Sequence, residues 1–179
     1  MGVRNYLIEG VSGTGKTAVC DELNRRGFRA IHGDRELAYQ GDSGTGLPTT
    51  GTSHANHIWD VGRVRALAAR QDQPVTFFCG GSRNFSRYLD VFDAVFVLHI
   101  DRDTLLRRLD ARPPGEWGAA QEERDLVVRL HETSEDIPKG DFVIDATGPL
   151  EHVVDTIVDA ASLHRPGPSH RHGITNTEP

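Results

Sequence analysis

The sequence predicts an α/β fold built around a five-stranded parallel sheet. Of the five predicted strands, four are short apolar runs that are continuous rather than alternating, which is typical of parallel strands that are covered on both faces. Amphipathic stretches long enough for helices lie between them, and a glycine-rich loop directly follows the first run. With 179 residues and 37% hydrophobic content, we expect a single domain around one core.

The predicted elements alternate along the chain. The strands are expected at residues 6–9, 29–32, 75–79, 94–100 and 142–145. The helices are expected at residues 16–26, 58–70, 103–111, 121–132 and 149–162, with a proline suited to the first turn of the last one. These elements form one domain over residues 1–163, with an irregular tail at 164–179.

Two loops interrupt this alternation. Residues 40–53 (QGDSGTGLPTTGTS) are too polar for a core and indicate either a long loop over a site or loose surface. Residues 112–119 (RPPGEWGA) have the proline and glycine content of a mobile lid. We therefore expect a lid at about 112–124 and an acceptor-side region at about 34–72.

Charge and cysteine content limit the class of protein. A net charge of -6 argues against a general nucleic-acid or membrane-surface binder, because such proteins usually carry excess Lys and Arg. No apolar run spans a membrane and no secretory signal pattern is present, so a soluble, cytoplasmic protein is expected. The two cysteines lie far apart, which indicates neither a disulfide framework nor a zinc site. The oligomeric state does not follow from the sequence.

The glycine-rich loop carries most of the functional information. Residues 10–17 (GVSGTGKT) match the phosphate-binding pattern GxxxxGK(S/T) between a strand and a helix. Its glycines allow backbone N–H groups to surround phosphate, while an ammonium offsets charge and a hydroxyl ligates Mg²⁺. The nucleotide-binding residues are therefore predicted as Ser12, Gly13, Thr14, Gly15, Lys16 and Thr17.

An acidic residue follows the second predicted strand. Asp34 and its neighbour Arg35 lie at a carboxyl end, where an open parallel sheet forms its ligand crevice. Asp34 is predicted to accept a proton from an acceptor hydroxyl or to organise Mg²⁺. The alternative is an aspartate that only caps a helix or turn.

A second group of candidates faces the acceptor. Gly80 and Gly81 follow the third predicted strand, where paired glycines let backbone approach a ligand. Arg83 then provides a bidentate contact for a carboxylate or phosphate, unless it is merely exposed on a turn. Trp59 is a candidate for stacking on a ring, although an aromatic at helical spacing also suits a core.

Arginines beside the expected lid are candidates for charge stabilisation. Arg108 and Arg112 are four residues apart, so they share a helix face next to the proline-rich loop. Arginines on a closing loop commonly stabilise charge during phosphoryl transfer. A solvated basic face is the alternative. Gly148, in a small-residue turn after the last strand, is a weaker candidate for contact with a flat ring such as adenine.

With these motifs in place, residues 3–163 resemble the P-loop small-molecule and nucleotide kinases, including adenylate, shikimate and gluconate kinases. The loop followed by Gly33-Asp34 is most similar to the gluconate kinase pattern. Residues 108–112 (RLDAR) resemble the RLxxR lid motif of adenylate kinases, and Arg112-Pro113 resembles the lid arginine of shikimate kinases. The resemblance implies a three-layer α/β/α P-loop NTPase fold with a lid.

The resemblance also implies roles for individual residues. Arg112 would clamp phosphate, Arg108 would stack on adenine or contact phosphate, and the segment near Gly148 would contact the base. Many such nucleotide kinases carry an aspartate where this chain has Cys-Gly-Gly at residues 79–81, which leaves Mg²⁺ to Thr17, Asp34 and the ATP phosphates. Arginine motifs of thymidylate and deoxynucleoside kinases lie near residues 82–83, so a nucleoside or nucleotide acceptor is also compatible.

These observations predict a kinase with Lys16, Asp34, Arg108 and Arg112 as catalytic residues. The expected donor is ATP with Mg²⁺, and GTP is not excluded. The acceptor is a small molecule such as a nucleoside, nucleotide, sugar acid or cyclitol. The alternative is a regulatory or switch-type NTPase without a separate acceptor, although the sequence contains no NKxD segment and its one DxxG match, at residues 145–148, follows the last predicted strand. A non-catalytic nucleotide binder is a third possibility.

Overall fold

The structure is a computed structural model that describes residues 3–164. Residues 1–2 and 165–179 lie outside the described part. The expectation of an irregular tail at 164–179 therefore falls almost entirely outside the described residues.

The described residues form seven strands, of which five make the central sheet. In chain order they are β1 (Arg4–Glu9), β2 (Arg29–His32), β3 (Ala38–Gln40), β4 (His57–Trp59), β5 (Val75–Cys79), β6 (Ala94–His99) and β7 (Phe142–Asp145). The central sheet has the order β2-β5-β1-β6-β7, and all of its neighbouring strands are parallel. The five-stranded parallel sheet is confirmed.

Helices cover both faces of the sheet. They are α1 (Lys16–Arg25), the single turn α2 (Gly33–Glu36), α3 (Val61–Ala68), α4 (Arg102–Asp110), α5 (Gln121–Thr133) and α6 (Leu150–Leu163). Tyr6 and Ile8 of β1 pack with residues of α1, α4, α5 and α6, while Leu7 points to the opposite face and packs with α3. This alternation produces two apolar cores and the three-layer α/β/α arrangement.

The segment between β2 and β5 differs most from the sequence prediction. The expected helix at 58–70 begins only at Val61, because residues 57–59 pair with 38–40 as the antiparallel hairpin β3-β4. Asp60 caps α3 by accepting a hydrogen bond from the Arg63 N–H at 2.9 Å. The hairpin places residues of the polar 40–53 loop near the carboxyl end of the sheet.

The topology positions the functional residues. β1 lies between β5 and β6, and β2 pairs with β5, so β2, β5 and β1 end side by side. The loops after these strands carry Asp34, Gly81 and the glycine-rich motif, respectively. Within the described residues, no helix combines the length and apolar character needed to cross a membrane.

Candidate active site

The glycine-rich loop wraps from the end of β1 to the start of α1. Gly10 has φ 154°, and a Cβ there would lie 2.7 Å from Thr14 Oγ1 and 2.8 Å from the Leu98 carbonyl oxygen. A side chain at Gly10 is therefore excluded by both conformation and space. Gly15 is left-handed and directly precedes α1, so the helix N-terminus opens towards the loop.

This loop forms the floor of a cavity of about 530 Å³, here called the P-loop cavity. Its size is in the range of small-molecule sites. Its lining includes all of the predicted nucleotide-binding residues, Ser12, Gly13, Thr14, Gly15, Lys16 and Thr17, together with Asp34, Arg108, Arg112 and Gly148. The structure thus brings the P-loop, the two lid-side arginines and the turn after β7 around one volume.

Arg108 and Arg112 link the P-loop to two neighbouring segments through hydrogen bonds. Arg108 donates hydrogen bonds to the carbonyl oxygens of Gly13 at 3.0 Å and Ala146 at 3.1 Å. Arg112 donates to Ser12 Oγ at 3.0 Å and to the carbonyl oxygen of Trp117 in the expected lid. Because Arg112 contacts both the P-loop and this loop, its position depends on where the loop lies.

Asp34 is held by donors on one carboxylate oxygen. Oδ1 lies 3.1 Å from His57 Nε2 and accepts hydrogen bonds from Trp59 Nε1 at 3.2 Å and the Gly81 N–H at 3.1 Å. Among the described residues, every hydrogen bond to this carboxylate reaches Oδ1, and Oδ2 receives none. The side chain is 44% exposed.

The surroundings of Asp34 lower its pKa and so favour the ionised form. Partial burial raises this pKa, but the hydrogen bond to His57 and the nearby charge of Lys16 outweigh burial and hold it below its usual range. Asp34 is therefore a carboxylate at neutral pH, with a free oxygen that can accept a proton or a metal-bound water.

A second cavity of about 320 Å³, here called the Glu9 cavity, adjoins the first. It is lined by Glu9, Gln40, His54, His57, Gly81, Arg83, Trp117 and Asp136, together with apolar residues of α5 and the following loop. Ser12, Lys16 and Asp34 line both cavities. The two volumes therefore meet where the P-loop lysine and the candidate base face each other.

The expected lid forms one wall of the Glu9 cavity. The ring of Trp117 is half-buried and stacks on His54, with a centroid separation of 5.5 Å and an interplanar angle of 11°. Gly118 N–H donates to Glu123 Oε2 at 2.8 Å, which ties this loop to the start of α5. The loop after α4 and the loop before β4 thus close together over the cavity.

Glu9 is a functional candidate that sequence reasoning missed. It ends β1 next to the P-loop, is 1% exposed and lines the Glu9 cavity. A Cβ at Gly81 would lie 2.2 Å from Glu9 Oε1, so this glycine makes space for the carboxyl group. The only sequence signal is an acidic residue that ends an apolar strand directly before the phosphate loop.

Burial raises the pKa of Glu9 to about 8, although the charges of Lys16 and Arg83 oppose the shift. At neutral pH this side chain is therefore mainly a neutral carboxylic acid. Its Oε2 is buried and has no hydrogen-bond partner among the described residues. An acid in this state can donate a hydrogen bond to a bound molecule.

The protonation of Glu9 predicts a pH-dependent difference in stability between the wild type and Glu9→Gln. The folded-state pKa lies above the ordinary value of 4.5, so its stabilising contribution is complete below about pH 4.5 and is lost as pH rises towards 8. Urea unfolding is expected to show that the wild type loses stability relative to Glu9→Gln, by up to about 1.4 kcal/mol per pH unit in this window. A difference that does not change with pH would contradict the assignment.

Arg83 does not have the free guanidinium that the sequence suggested. It forms an ion pair with Asp136, and both side chains are largely buried, at 13% and 14% exposed. Asp136 also lies 2.9 Å from His54 Nε2. Burial raises the pKa of Asp136, but the hydrogen bond to His54 and the charge of Arg83 bring it below its usual range. The charge expected to bind an acceptor is neutralised within the protein.

Three further predicted acceptor contacts are corrected by the structure. Trp59 is completely buried and stacks on Tyr88 at a centroid distance of 5.6 Å, so its ring cannot stack on a ligand. Arg35 is exposed and lines neither cavity. Gly80 is buried, and a Cβ there would lie 2.7 Å from both Asp34 and Trp59, so it accommodates these side chains rather than a ligand.

The predicted metal ligands fit a magnesium site that is completed by a nucleotide. Thr17 is exposed in the P-loop cavity, and Asp34 presents its free oxygen to the same volume. Within residues 3–164, no three His, Cys, Asp or Glu side chains cluster closely enough to hold a metal ion. The two protein oxygens of Thr17 and Asp34 fit Mg²⁺, which commonly takes one or two protein ligands together with phosphate and water oxygens.

Comparisons with known proteins agree with this architecture. A family model described as an AAA domain matches residues 7–127. A comparison with curated protein sequences finds no match.

Several solved kinase structures share this fold at low sequence identity. A shikimate kinase from Bacteroides thetaiotaomicron is 14% identical with a TM-score of 0.55, covering 90% of this chain and 100% of its own. A gluconokinase from Sinorhizobium meliloti 1021 is 19% identical with a TM-score of 0.53, covering 89% and 91%. A sugar kinase from Janibacter sp. HTCC2649 is 18% identical with a TM-score of 0.52, covering 90% and 96%. The predicted three-layer α/β/α P-loop NTPase fold and the resemblance to this group are confirmed.

Proposed function

This chain belongs to the AAA domain family, and from that premise we propose that it is a kinase that transfers the γ-phosphoryl group of ATP to a small molecule. The observation that carries this proposal is the pair of adjoining cavities. One contains the P-loop, the other is lined by polar side chains, and they share Ser12, Lys16 and Asp34. This arrangement suits a donor and an acceptor that must meet at one point.

The donor occupies the P-loop cavity in this proposal. Its phosphates bind the backbone N–H groups of residues 12–17, and Lys16 offsets charge on the outer phosphates. Arg112 lies against Ser12, where it can stabilise the charge that develops during transfer. The adenine ring extends towards Arg108 and Gly148, which line the other part of the cavity.

The acceptor occupies the Glu9 cavity and reacts beside Asp34. When the acceptor group is a hydroxyl, its proton passes to Asp34 Oδ2 as the oxygen bonds to the γ-phosphorus and the bond to ADP breaks. Lys16 borders both cavities and stays close to the transferred group. Trp59 acts as a positioning residue, since it touches Asp34 and not the substrate.

Mg²⁺ would be held by Thr17 and, through a bound water, by Asp34, so that Asp34 Oδ2 keeps a lone pair for the acceptor proton. When bound, it supplies charge neutralisation at the phosphate oxygens. The fit rests on the exposed Thr17 hydroxyl and on the Asp34 oxygen that no described protein donor occupies.

A switch-type NTPase without an acceptor is less well supported. Such a protein needs a water near the γ-phosphate but has no use for a second cavity with its own ion pair and buried acid. The shape and polarity of the Glu9 cavity favour a separate substrate.

Acceptor dependence of ADP formation tests the proposed function. The protein is incubated with Mg-ATP alone and with nucleosides, nucleotides, sugars, sugar acids and cyclitols, and ADP is measured by a coupled assay. At least one acceptor is expected to raise ADP formation well above the rate without acceptor. A Lys16→Ala variant is the control for contaminating ATPases. ADP formation at one rate with every compound would contradict the proposal.

A further inference from the structure

The Glu9 cavity contains buried polar atoms that the protein itself leaves without partners. They are Glu9 Oε2, Arg83 Nε and Asp136 Oδ1, and none of them has a hydrogen-bond partner among the described residues. Buried polar atoms are nearly always paired, because an unpaired one loses its hydration without compensation. Because all three residues line one cavity, a molecule bound there lies next to polar groups that still lack a partner.

The chemistry of these atoms is mixed. Arg83 Nε is a hydrogen-bond donor and Asp136 Oδ1 is an acceptor, whereas the protonated Glu9 can act as a donor. A molecule that satisfies all three must carry both donors and acceptors, as hydroxyl and amide groups do. A carboxylate or phosphate group offers only acceptors, so a hydroxyl elsewhere on the molecule must donate to Asp136.

The charged side chains of the Glu9 cavity are already paired or committed, which disfavours an anionic acceptor. Its cationic side chains are Lys16 and Arg83, and its histidines His54 and His57 lie against the carboxylates of Asp136 and Asp34. Lys16 is reserved for the donor phosphates in the proposed function, and Arg83 is paired with Asp136. An anionic acceptor would have to compete with Asp136 for Arg83 and would also meet the negative charge of Asp34.

We infer that the phosphoryl acceptor is an uncharged hydroxyl compound that carries both hydrogen-bond donors and acceptors, and that the Arg83–Asp136 pair excludes carboxylates and phosphates. This inference rests on the proposed function and narrows its acceptor. Nucleosides, neutral sugars and cyclitols meet the requirement. Sugar acids, shikimate and nucleotides do not.

Binding measurements test the inference without relying on turnover. The P-loop cavity is first filled with Mg²⁺ and a non-hydrolysable ATP analogue, so that Lys16 is occupied. Gluconate and glucitol, which differ by a carboxylate in place of a hydroxymethyl group, are then titrated calorimetrically. Shikimate, a nucleoside monophosphate and the corresponding nucleoside extend the set. The wild type is expected to show no measurable affinity for the anions, and preferential binding of any anion over its neutral partner would overturn the inference.

The variant Asp136→Asn provides the matched test. Removing the carboxylate charge leaves Arg83 unopposed, so the affinity for at least one anion is expected to rise by about tenfold or more. The double variant Asp136→Asn with Arg83→Gln is expected to lose this gain. Unchanged anion affinity in a folded Asp136→Asn protein would overturn the inference, and if this variant does not fold, the wild-type titrations decide.

These results are distinguishable from failure of the proposed function. ATP hydrolysis that ignores every acceptor would contradict the kinase proposal. Phosphorylation of an anionic acceptor in place of its neutral partner would support the kinase and contradict only the assignment of an uncharged acceptor.

Discussion

Replacing Asp34 with asparagine is expected to lower kcat by about two to four orders of magnitude, while ATP binding stays close to that of the wild type. The amide has nearly the same shape and keeps an oxygen for the donors Trp59 and Gly81. It cannot accept a proton from the acceptor hydroxyl. Steady-state kinetics with a reactive acceptor, together with calorimetric titration of an ATP analogue, separate these two effects.

The matched control for this experiment is Asp90→Asn. Asp90 is also an exposed aspartate with a hydrogen-bonded partner, Arg65, but it lines neither cavity. Its substitution is expected to leave kcat unchanged. If Asp34→Asn turns over as fast as Asp90→Asn, Asp34 has no role in the reaction.

Arg112→Ala is expected to lower kcat by about a hundred- to a thousandfold. The guanidinium is the group that joins Ser12 of the P-loop to the backbone of Trp117, so its loss removes a positive charge and a contact between the P-loop and the loop that follows α4. Arg112→Lys is expected to recover only part of the activity, because lysine keeps the charge but not the planar fork of donors. Single-turnover measurements with saturating ATP report the effect on the transfer step.

Arg107→Ala is the control for Arg112→Ala. Arg107 lies on α4 near Arg112, is exposed and lines neither cavity. Equal rates for Arg107→Ala and Arg112→Ala would show that the charge of Arg112 does not contribute to phosphoryl transfer.

The sheet and the P-loop are predictable because their signals are local in sequence. The strands at 29–32, 75–79 and 142–145 have the same bounds in the structure as in the sequence prediction. A continuous apolar run favours a strand of a parallel sheet, and the glycine pattern determines where the backbone surrounds phosphate. These features do not depend on which distant residue packs against them.

Much of the Glu9 cavity depends on contacts between residues that are far apart in sequence. Glu9 is buried because Gly81 makes space for it, and Arg83 is neutralised because the loop after α5 brings Asp136 to it. The residues next to Glu9 and Arg83 in the sequence do not reveal that Gly81 and Asp136 are their partners. The charge available to the acceptor could therefore not be read from the arginine alone.

The position of Trp59 in the core also depends on contacts with residues that are distant in sequence. Its backbone N–H donates to Asn84 Oδ1 at 3.0 Å and its carbonyl oxygen accepts from Asn84 Nδ2 at 2.9 Å, which fixes the β4 strand. The ring then stacks on Tyr88 and reaches Asp34 only through Nε1. A buried polar network between distant segments has no periodic signal in the sequence, so the sequence predicts a helix from residue 58 and leaves open whether the Trp59 ring faces a ligand or the core.

The most direct test of the account is the stoichiometry of transfer. With Mg-ATP and the acceptor that gives the highest rate, phosphorus NMR and mass spectrometry measure ADP, phosphorylated acceptor and inorganic phosphate in one reaction. The two joined cavities predict one phosphorylated acceptor for each ADP formed, with little inorganic phosphate. Equal amounts of ADP and inorganic phosphate, with no phosphorylated acceptor, would contradict the central claim that the Glu9 cavity holds a second substrate.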